Sequence, residues 1–282
     1  MNVGFIGLGS MGAVLAHNLV QTGHDVVTHD IAGPARSPEG ARFVDTVEDV
    51  ATTCDTIVLS LPDGHASEQV ASEISAGDAR PNQVIDTSTI GVTAAARIGA
   101  RLGADGIAYV DAPVSGGIAG ARARTLLVMY AGDDHACTAV EPVLAGLSER
   151  RIRVGDRPGL AQAMKLANNF LSATALAATS EAIAFGTSAG LSMATMLDVL
   201  NGASGQSNAT SEKFPNQVLT ERYAAGFANH LMAKDVGLFL DEVAARGSAT
   251  DVATVTAAIW RRFADAEPGA DFTAIYPFVR SS

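Results

Sequence analysis

The sequence predicts an α/β domain with a doubly wound, mostly parallel sheet, followed by an all-helical domain. Apolar runs of strand length alternate with helix-length segments through the first half of the chain, and a glycine-rich turn follows the first run. From about residue 160 onward the strand-like runs disappear, and an alanine-rich pattern of helical period replaces them. We therefore expect one domain over residues 1–160 and a second over residues 161–282.

Short apolar runs bounded by polar or turn-forming residues define the predicted strands of the first domain. They cover residues 2–6, 26–29, 56–61, 84–87, 107–111 and 125–131. The first predicted helix, over about 10–22, carries apolar side chains such as Leu15 and Leu19 on one face. It ends at Gly23, a residue type typical of helix C-termini.

The second domain opens with a predicted helix over about 160–189 that is apolar on most of its sides. Thirty residues in a helix extend about 45 Å, so both flanks of this interdomain helix need cover. The rest of the helical domain and a second subunit are the expected sources, which predicts a homodimer or homotetramer. Shorter amphipathic helices are predicted at 193–201, 208–219, 228–246 and 249–264.

Composition and charge exclude several classes of partner. The chain of 282 residues carries a formal net charge of −11, which disfavours nucleic acid and anionic membranes as partners. The uncharged stretches 166–180 and 182–197 fall short of the roughly 18 residues that a transmembrane span needs. We interpret the basic cluster at 149–157 as a solvated rim.

The distribution of cysteine and histidine bears on compartment and metal binding. The two cysteines are far apart, and the N-terminus shows no pattern of a secretory signal, so a reducing cytoplasm is the expected location. The six histidines are scattered without ligand spacing, so no metal site is expected.

The glycine-rich turn has the pattern of a dinucleotide-binding loop. Gly7 permits a tight turn after the first strand, Gly9 lets the backbone approach a pyrophosphate, and Gly12 lets the helix pack closely against the sheet. Asp30 ends the second predicted strand, 18 residues after Gly12, where a carboxylate binds ribose hydroxyls. A carboxylate there repels a 2′-phosphate, which predicts NAD as cofactor; Arg36 would relieve that preference and leaves NADP possible.

Lys165 and Asn169 interrupt the apolar surface of the long predicted helix. They are four residues apart and therefore share a helix face. A buried ammonium is costly unless it is used or paired, and desolvation lowers the pKa of a lysine toward neutrality, where it transfers protons. Spacing alone leaves two interpretations open, namely a catalytic lysine and a lysine that extends from a helix start to solvent.

Four motifs in a fixed order resemble the β-hydroxyacid dehydrogenases, a family that includes 3-hydroxyisobutyrate dehydrogenase and tartronate semialdehyde reductase and is 6-phosphogluconate dehydrogenase-like. They are "GFIGLGSMG" (4–12), "DAPVSGG" (111–117), "KLANN" (165–169) and "MAKD" (232–235), and the resemblance covers essentially the whole chain. It implies a Rossmann domain, an all-helical C-terminal domain and a dimer or tetramer.

The resemblance also implies roles for individual residues. Lys165 matches the catalytic residue of the family, with Asn169 beside it. Ser115, Gly116 and Gly117 match the substrate-binding loop. The positions that match the cofactor contacts are Gly7, Leu8, Gly9, Ser10, Met11, Gly12, Asp30, Leu61, Pro62, Thr89 and Lys234.

Two stretches depart from the family pattern or stay ambiguous. Arg124 replaces the usual small residue before "TL", and it is either a surface substitution or an added positive charge near the substrate loop. In the stretch 203–210, Gln206 and Asn208 either set substrate specificity or belong to a helix cap.

Together these observations predict an NAD-dependent oxidoreductase that oxidises a small 3-hydroxy carboxylic acid, with Lys165 as general acid and base. One alternative is an NADPH-dependent reductase of an aldehyde acid or an imine. An alternative of another class is a non-catalytic, NAD-binding sensor. The motif at Lys165 and Asn169 counts against the sensor, and related imine reductases usually lack this lysine.

Overall fold

The computed structural model describes residues 1–78 and 80–281. The chain divides into two compact units, Met1–Lys165 and Leu166–Ser282. This division falls inside the long helix Leu160–Ser188, which begins in the first unit and continues into the second. A domain limit at residue 160, where that helix begins, stays a prediction.

The first unit is built on one sheet whose strands follow the chain from β1 to β9. Their bounds are β1 Asn2–Ile6, β2 Asp25–His29, β3 Arg42–Phe43, β4 Thr56–Leu59, β5 Gln83–Asp86, β6 Ala108–Asp111, β7 Val114–Ser115, β8 Leu127–Ala131 and β9 Arg150–Gly155. The spatial order is β3-β2-β1-β4-β5-β6-β8-β7, and β9 pairs with β8. The pairs from β3 through β6 are parallel, and β8 runs antiparallel to β6 and β7. The order 3-2-1-4-5-6 is that of a Rossmann sheet, which confirms the predicted fold class.

Helices cover both faces of this sheet, which is why its central strands, such as β1 and β4, are largely apolar. They are α1 Gly12–Gln21, α2 Val47–Thr53, α3 Gly64–Ala76, α4 Val92–Ala104, α5 Gly117–Arg122 and α6 Asp134–Leu147. Alternation along the strands divides the buried residues between the two faces. Val3 and Phe5 of β1 belong to one buried cluster with Leu19 of α1, whereas Ile57 and Leu59 of β4 belong to the other.

The basic stretch 149–157 is not only a solvated rim, because most of it forms strand β9. Among the described strands it pairs with β8, to which it runs parallel, at the side of the sheet. Its arginines pair with acids of helix α6: Arg151 with Glu141 at 2.9 Å and Arg153 with Asp134 at 2.6 Å. An edge strand needs no apolar alternation and tolerates charge, so the arginine-rich composition of β9 did not predict a strand.

Within its described residues the second unit contains helices and turns, as predicted. Its elements are the main part of α7 Leu160–Ser188, α8 Met193–Asn201, a π-helical segment Ala209–Val218, α9 Asn229–Ala245, α10 Asp251–Ala266, a 3₁₀ turn Phe272–Ala274 and α11 Ile275–Ser281. Its core contains Phe214, Trp260 and Phe263, all fully buried. The indole N–H of Trp260 donates to the carbonyl oxygen of Ala173 at 3.2 Å, which ties α10 to α7.

Two further findings concern the described part of the chain. None of its helices combines the length and apolar character that crossing a membrane requires. Its histidine, cysteine, aspartate and glutamate side chains form no group of three or more with the spacing of a metal site.

Candidate active site

The loop after β1 shows why its three glycines are needed. Gly7 has φ +96°, and a Cβ at that position would lie 2.4 Å from the carbonyl oxygen of Ser60. A Cβ at Gly12 would lie 2.0 Å from the carbonyl oxygen of Gly7. A Cβ at Gly9, in contrast, would meet no atom within 4 Å. Gly7 and Gly12 are therefore required by the packing of the loop, whereas Gly9 faces open space.

This open space adjoins the start of helix α1. No side chain caps the first turn of α1, and the neighbouring loop residues Gly9 and Ser10 are exposed. Uncapped N–H groups and the helix dipole favour an anion at such a position. The loop 7–12 therefore fits the diphosphate of a dinucleotide, for which its backbone would supply donors.

The carboxylate of Asp30 lies beside this loop. It accepts hydrogen bonds from the backbone N–H of Leu8 at 2.5 Å and from that of Ala32 at 2.7 Å. Asp30 is half-buried, and Arg36 lies exposed in the short 3₁₀ turn Pro34–Arg36. The next residue, Ile31, is fully exposed, a position that sequence reasoning missed. A large apolar residue directly after the acid that follows strand β2 was the available signal.

Leu61, Pro62 and Thr89 lie in the loops that follow β4 and β5. The backbone N–H of Leu61 donates to the hydroxyl oxygen of Ser88 at 2.8 Å, which joins the two loops. Because β1 pairs with both β2 and β4 in parallel, the loops after these strands emerge at the same edge of the sheet. The structure thus places the glycine loop, Asp30 and Leu61 together, as a dinucleotide site requires.

The predicted substrate loop begins in the short strand β7. Ser115 ends that strand half-buried, and Gly116 and Gly117 follow with φ of +134° and +67°. Two consecutive residues in this conformation are favourable only as glycine. The absence of side chains leaves backbone N–H groups accessible beside one hydroxyl, a set of donors that suits a carboxylate.

Lys165 lies in the second turn of helix α7, and Asn169 lies one turn later. Both side chains are buried. The amide nitrogen of Asn169 donates to Asp235 at 2.6 Å, and its amide oxygen accepts from Asn168 at 3.1 Å. A carboxylate only accepts hydrogen bonds, so Asp235 determines which way the Asn169 amide points. Lys165, the predicted acid and base, therefore lies on the same helix as Asn169, whose amide is oriented by Asp235.

Asp235 is a residue that sequence reasoning missed, although it ends the motif "MAKD". It is buried in helix α9, and the ammonium of Lys234 forms an ion pair with it at 3.0 Å. Lys234 is predicted as a cofactor contact, and that role stays a prediction. Within the second unit, Lys234 forms the ion pair with Asp235. A buried acid on an otherwise apolar helix face was the available signal.

Arg124 is held by a structural contact. It has φ +56°, and its guanidinium donates to the carbonyl oxygen of Ala145 at 2.8 Å in the last turn of α6. A cation at a helix C-terminus is favourable, so the contact of Arg124 with the C-terminal turn of α6 explains an arginine at this position.

In the stretch 203–210, helix capping is visible at two residues. Ser207 and Thr210 exchange hydrogen bonds, from the backbone N–H of each to the hydroxyl of the other, at 2.9 and 3.3 Å. These bonds close the start of the π-helical segment. Gln206 and Asn208 are exposed, and a role in substrate specificity stays a prediction for them.

Comparison with known proteins places this architecture in a family. Residues 2–155 match the model of the NAD binding domain of 6-phosphogluconate dehydrogenase. Residues 159–279 match the model described as NAD-binding of NADP-dependent 3-hydroxyisobutyrate dehydrogenase. A probable 3-hydroxyisobutyrate dehydrogenase of Mycobacterium tuberculosis is 34% identical over 99% of this chain and 98% of its own length.

Solved structures agree with these matches. Mycobacterium tuberculosis 3-hydroxyisobutyrate dehydrogenase with L-serine superposes with a TM-score of 0.93 at 33% identity, over 99% of each chain. An imine reductase of Streptomyces aurantiacus, at 20% identity and a TM-score of 0.64 over 99% of each chain, shares the fold. The chain therefore belongs to the β-hydroxyacid dehydrogenases, a family of NAD(P)-dependent oxidoreductases.

Proposed function

We propose that this NAD(P)-dependent hydroxyacid dehydrogenase uses NAD to oxidise a small 3-hydroxy carboxylic acid, similar to 3-hydroxyisobutyrate, reversibly to the semialdehyde or ketone. The observation that carries the proposal is the burial of Lys165 and Asn169 one helical turn apart in α7. A lysine costs free energy when buried and is retained there when its ammonium is used or paired. Within this family the use is proton transfer.

The cofactor proposal rests on the edge of the Rossmann sheet. The space over Gly9 and the uncapped start of α1 fit a diphosphate, and the carboxylate of Asp30 lies next to that loop. In this position a carboxylate accepts hydrogen bonds from two ribose hydroxyls and repels a 2′-phosphate. This charge favours NAD, although one matching model is named for an NADP-dependent enzyme.

The chemistry divides between cofactor and protein. When bound, NAD supplies the acceptor for the hydride that leaves the carbinol carbon. Neutral Lys165 accepts the hydroxyl proton in oxidation, and its ammonium returns that proton in reduction. The amide of Asn169, oriented by Asp235, positions the lysine and the substrate hydroxyl. Positioning and stabilisation of the developing alkoxide supply most of the rate enhancement.

The substrate class follows from two anchoring points. Ser115, Gly116 and Gly117 would bind the carboxylate while Lys165 meets the hydroxyl, and the family relationship sets the spacing to that of a 3-hydroxy acid. The ligand named with the related mycobacterial enzyme, L-serine, is itself a 3-hydroxy acid with a small substituent at C2. Simple alcohols lack the carboxylate, and 2-hydroxy acids place it one carbon too close.

The alternative reductase activities have weaker support. The likeness to an imine reductase extends to the fold, at 20% identity. An NADPH-dependent reductase of an aldehyde acid would use the same lysine in the reverse direction and would require that Asp30 tolerate the 2′-phosphate. The burial of Lys165 and Asn169 on one helix counts against a non-catalytic sensor.

A homodimer or homotetramer in the cytoplasm is part of the proposal. Helix α7 leaves Leu171 and Phe185 exposed by 64% and 75%, which is unusual for large apolar side chains of one helix. Both cysteines are free and buried thiols, which suits a reducing compartment.

The assembly predicts a simple hydrodynamic result. At micromolar concentration, light scattering should give a mass of at least twice the 28.9 kDa of one chain. Phe185→Glu should lower that mass, because a buried charge in an apolar interface is unfavourable. A wild-type chain that scatters as a monomer would contradict the assembly without affecting the proposed chemistry.

Substitution of Asp30 tests the cofactor preference. Asp30→Asn removes the negative charge at nearly constant shape and should raise the ratio of kcat/KM for NADP to that for NAD by about tenfold, or about 1.4 kcal/mol. Steady-state kinetics with each cofactor measures the ratio. Asp25→Asn, an exposed acid at the opposite end of β2, is the matched control and should leave it unchanged. A wild-type preference for NADP would refute the assignment.

Substitution of Lys165 tests the chemistry. Lys165→Ala should lower kcat by about 100-fold or more, because a general acid and base is lost, while the Kd for NADH changes little. Turnover is followed by NADH absorbance and binding by fluorescence titration. Lys213→Ala, on the π-helical segment, is the matched control and should keep its kcat. Wild-type turnover in the Lys165→Ala variant would contradict the proposed role of Lys165.

Substitution of Ser115 tests the carboxylate anchor. Ser115→Ala should raise KM for 3-hydroxyisobutyrate by about 5-fold to 150-fold, since a hydrogen bond to a charged group is worth about 1–3 kcal/mol. KM for NAD should not change in the same variant. In the wild type, lactate should be a poor substrate beside 3-hydroxyisobutyrate. Equal efficiency on the two acids, or an unaltered KM in the variant, would place the anchor elsewhere.

A further inference from the structure

The first turn of helix α7 is held by a buried carboxylate of the sheet. Asp111, the last residue of β6, accepts hydrogen bonds from the backbone N–H of Gly159 at 3.1 Å and from that of Gln162 at 2.9 Å. Each of the two hydrogen bonds is accepted by a different carboxylate oxygen. These N–H groups lie at a helix start, where they have no intrahelical acceptor. Asp111 therefore fixes the position at which α7 begins.

The side chain of Gln162 extends this contact to a second element. It is fully buried, and its amide oxygen accepts from the backbone N–H of Ile90 at 3.0 Å and of Gly91 at 3.3 Å. Its amide nitrogen donates to the carbonyl oxygen of Ser88 at 3.0 Å. The segment 88–91 contains Thr89, a predicted cofactor contact. Gln162 thus joins the helix that carries Lys165 to the loop after β5.

The carboxyl group of Asp111 is buried, and its pKa is raised. Burial raises the pKa of Asp111 to about 7, and the neighbouring carboxylate of Asp86, its partner in the β5–β6 register, raises it further against the two N–H donors. Between about pH 4 and pH 7 the folded state holds a proton here that the unfolded state releases, so the free energy of unfolding falls as pH rises through this range. The contribution of Asp111 to the free energy of unfolding is therefore smaller at pH 7 than at pH 4.

We propose that Asp111 and Gln162 act together as positioning residues, which we name the Asp111–Gln162 clamp, and that they fix Lys165 relative to the loop 88–91. Lys165 follows Gln162 by three residues, a rise of about 4.5 Å along the helix. Proton transfer depends on the distance between donor and acceptor, and a displacement of about 1 Å lowers a rate by about 100-fold. The inference rests on the proposed role of Lys165.

Two isosteric substitutions test the clamp. Asn at position 111 accepts from one N–H with its amide oxygen but turns an N–H₂ group toward the other, so Asp111→Asn removes one of the two contacts. Gln162→Glu keeps the acceptor for Ile90 and Gly91 and replaces the donor to Ser88 by an oxygen. Each should lower kcat by about 10-fold to 100-fold, with KM for the acid and Kd for NADH changing much less.

The same chemical changes elsewhere in this unit provide matched controls. Asp133 caps helix α6 through the N–H of Ala136 at 2.9 Å, and Gln83 donates to Thr56 at 2.8 Å at the amino end of β5. Asp133→Asn and Gln83→Glu should keep the wild-type kcat. Circular dichroism and thermal unfolding of all four variants identify any that do not fold. If one clamp variant fails to fold, the other still decides the question.

Combination with Lys165→Ala separates a positioning role from a general structural one. If the clamp acts through Lys165, Asp111→Asn should lower kcat in the wild type and cause little further loss in the Lys165→Ala background. Equal losses in both backgrounds would overturn the clamp, as would clamp variants with wild-type kcat beside an inactive Lys165→Ala. Full activity of Lys165→Ala alone would instead overturn the proposed function.

Discussion

The parallel arrangement of strands β1 to β6 is the constraint on which the rest of the first unit depends. Parallel strands end at one edge of a sheet, so each loop that leaves this edge is brought beside its neighbours. The glycine loop follows β1, Asp30 follows β2, Leu61 follows β4 and Thr89 follows β5. Residues spread over more than eighty positions of sequence therefore form one surface, and the fold alone brings them together.

Polar side chains at this edge accept hydrogen bonds that fix their positions. Asp30 is held by two backbone N–H groups, and Asp111 by two others. In the second unit, Asp235 orients Asn169 and pairs with Lys234. A buried ionised group carries a desolvation cost that hydrogen bonds offset in part, so a cluster of such groups is expected where geometry matters for chemistry.

The elements that the sequence predicted well are those whose pattern follows from burial. Strands β1 and β4 are covered on both faces and appear as apolar runs, and helix α7 was predicted within one residue of its bounds. Strand β9 was missed because an edge position permits three arginines in six residues. The two-residue strands β3 and β7 are too short to carry a pattern.

The predicted site residues came from motifs, and the missed ones had partners far along the chain. Gln162 bonds to residues 71 to 74 positions earlier, and Asp111 to residues 48 and 51 positions later. No local spacing predicts such contacts, because they join a helix to a strand and a loop that are distant in sequence. Asp235 lies 66 positions from Asn169. The motif "MAKD" contains Asp235 but does not indicate that Asn169 is its partner.

The use of lysine in this chain supports an acid and base role at position 165. The sequence contains three lysines among nineteen basic residues, the others being arginine. Arginine stays protonated at every physiological pH and serves the ion pairs of β9 and α6, whereas lysine loses its proton when desolvated. With a net charge of −11 the protein as a whole repels an anionic substrate, so attraction depends on a few local cations and backbone dipoles. A buried lysine at the start of a long helix, in a chain that otherwise prefers arginine, fits the proton transfer proposed for Lys165, which arginine cannot perform.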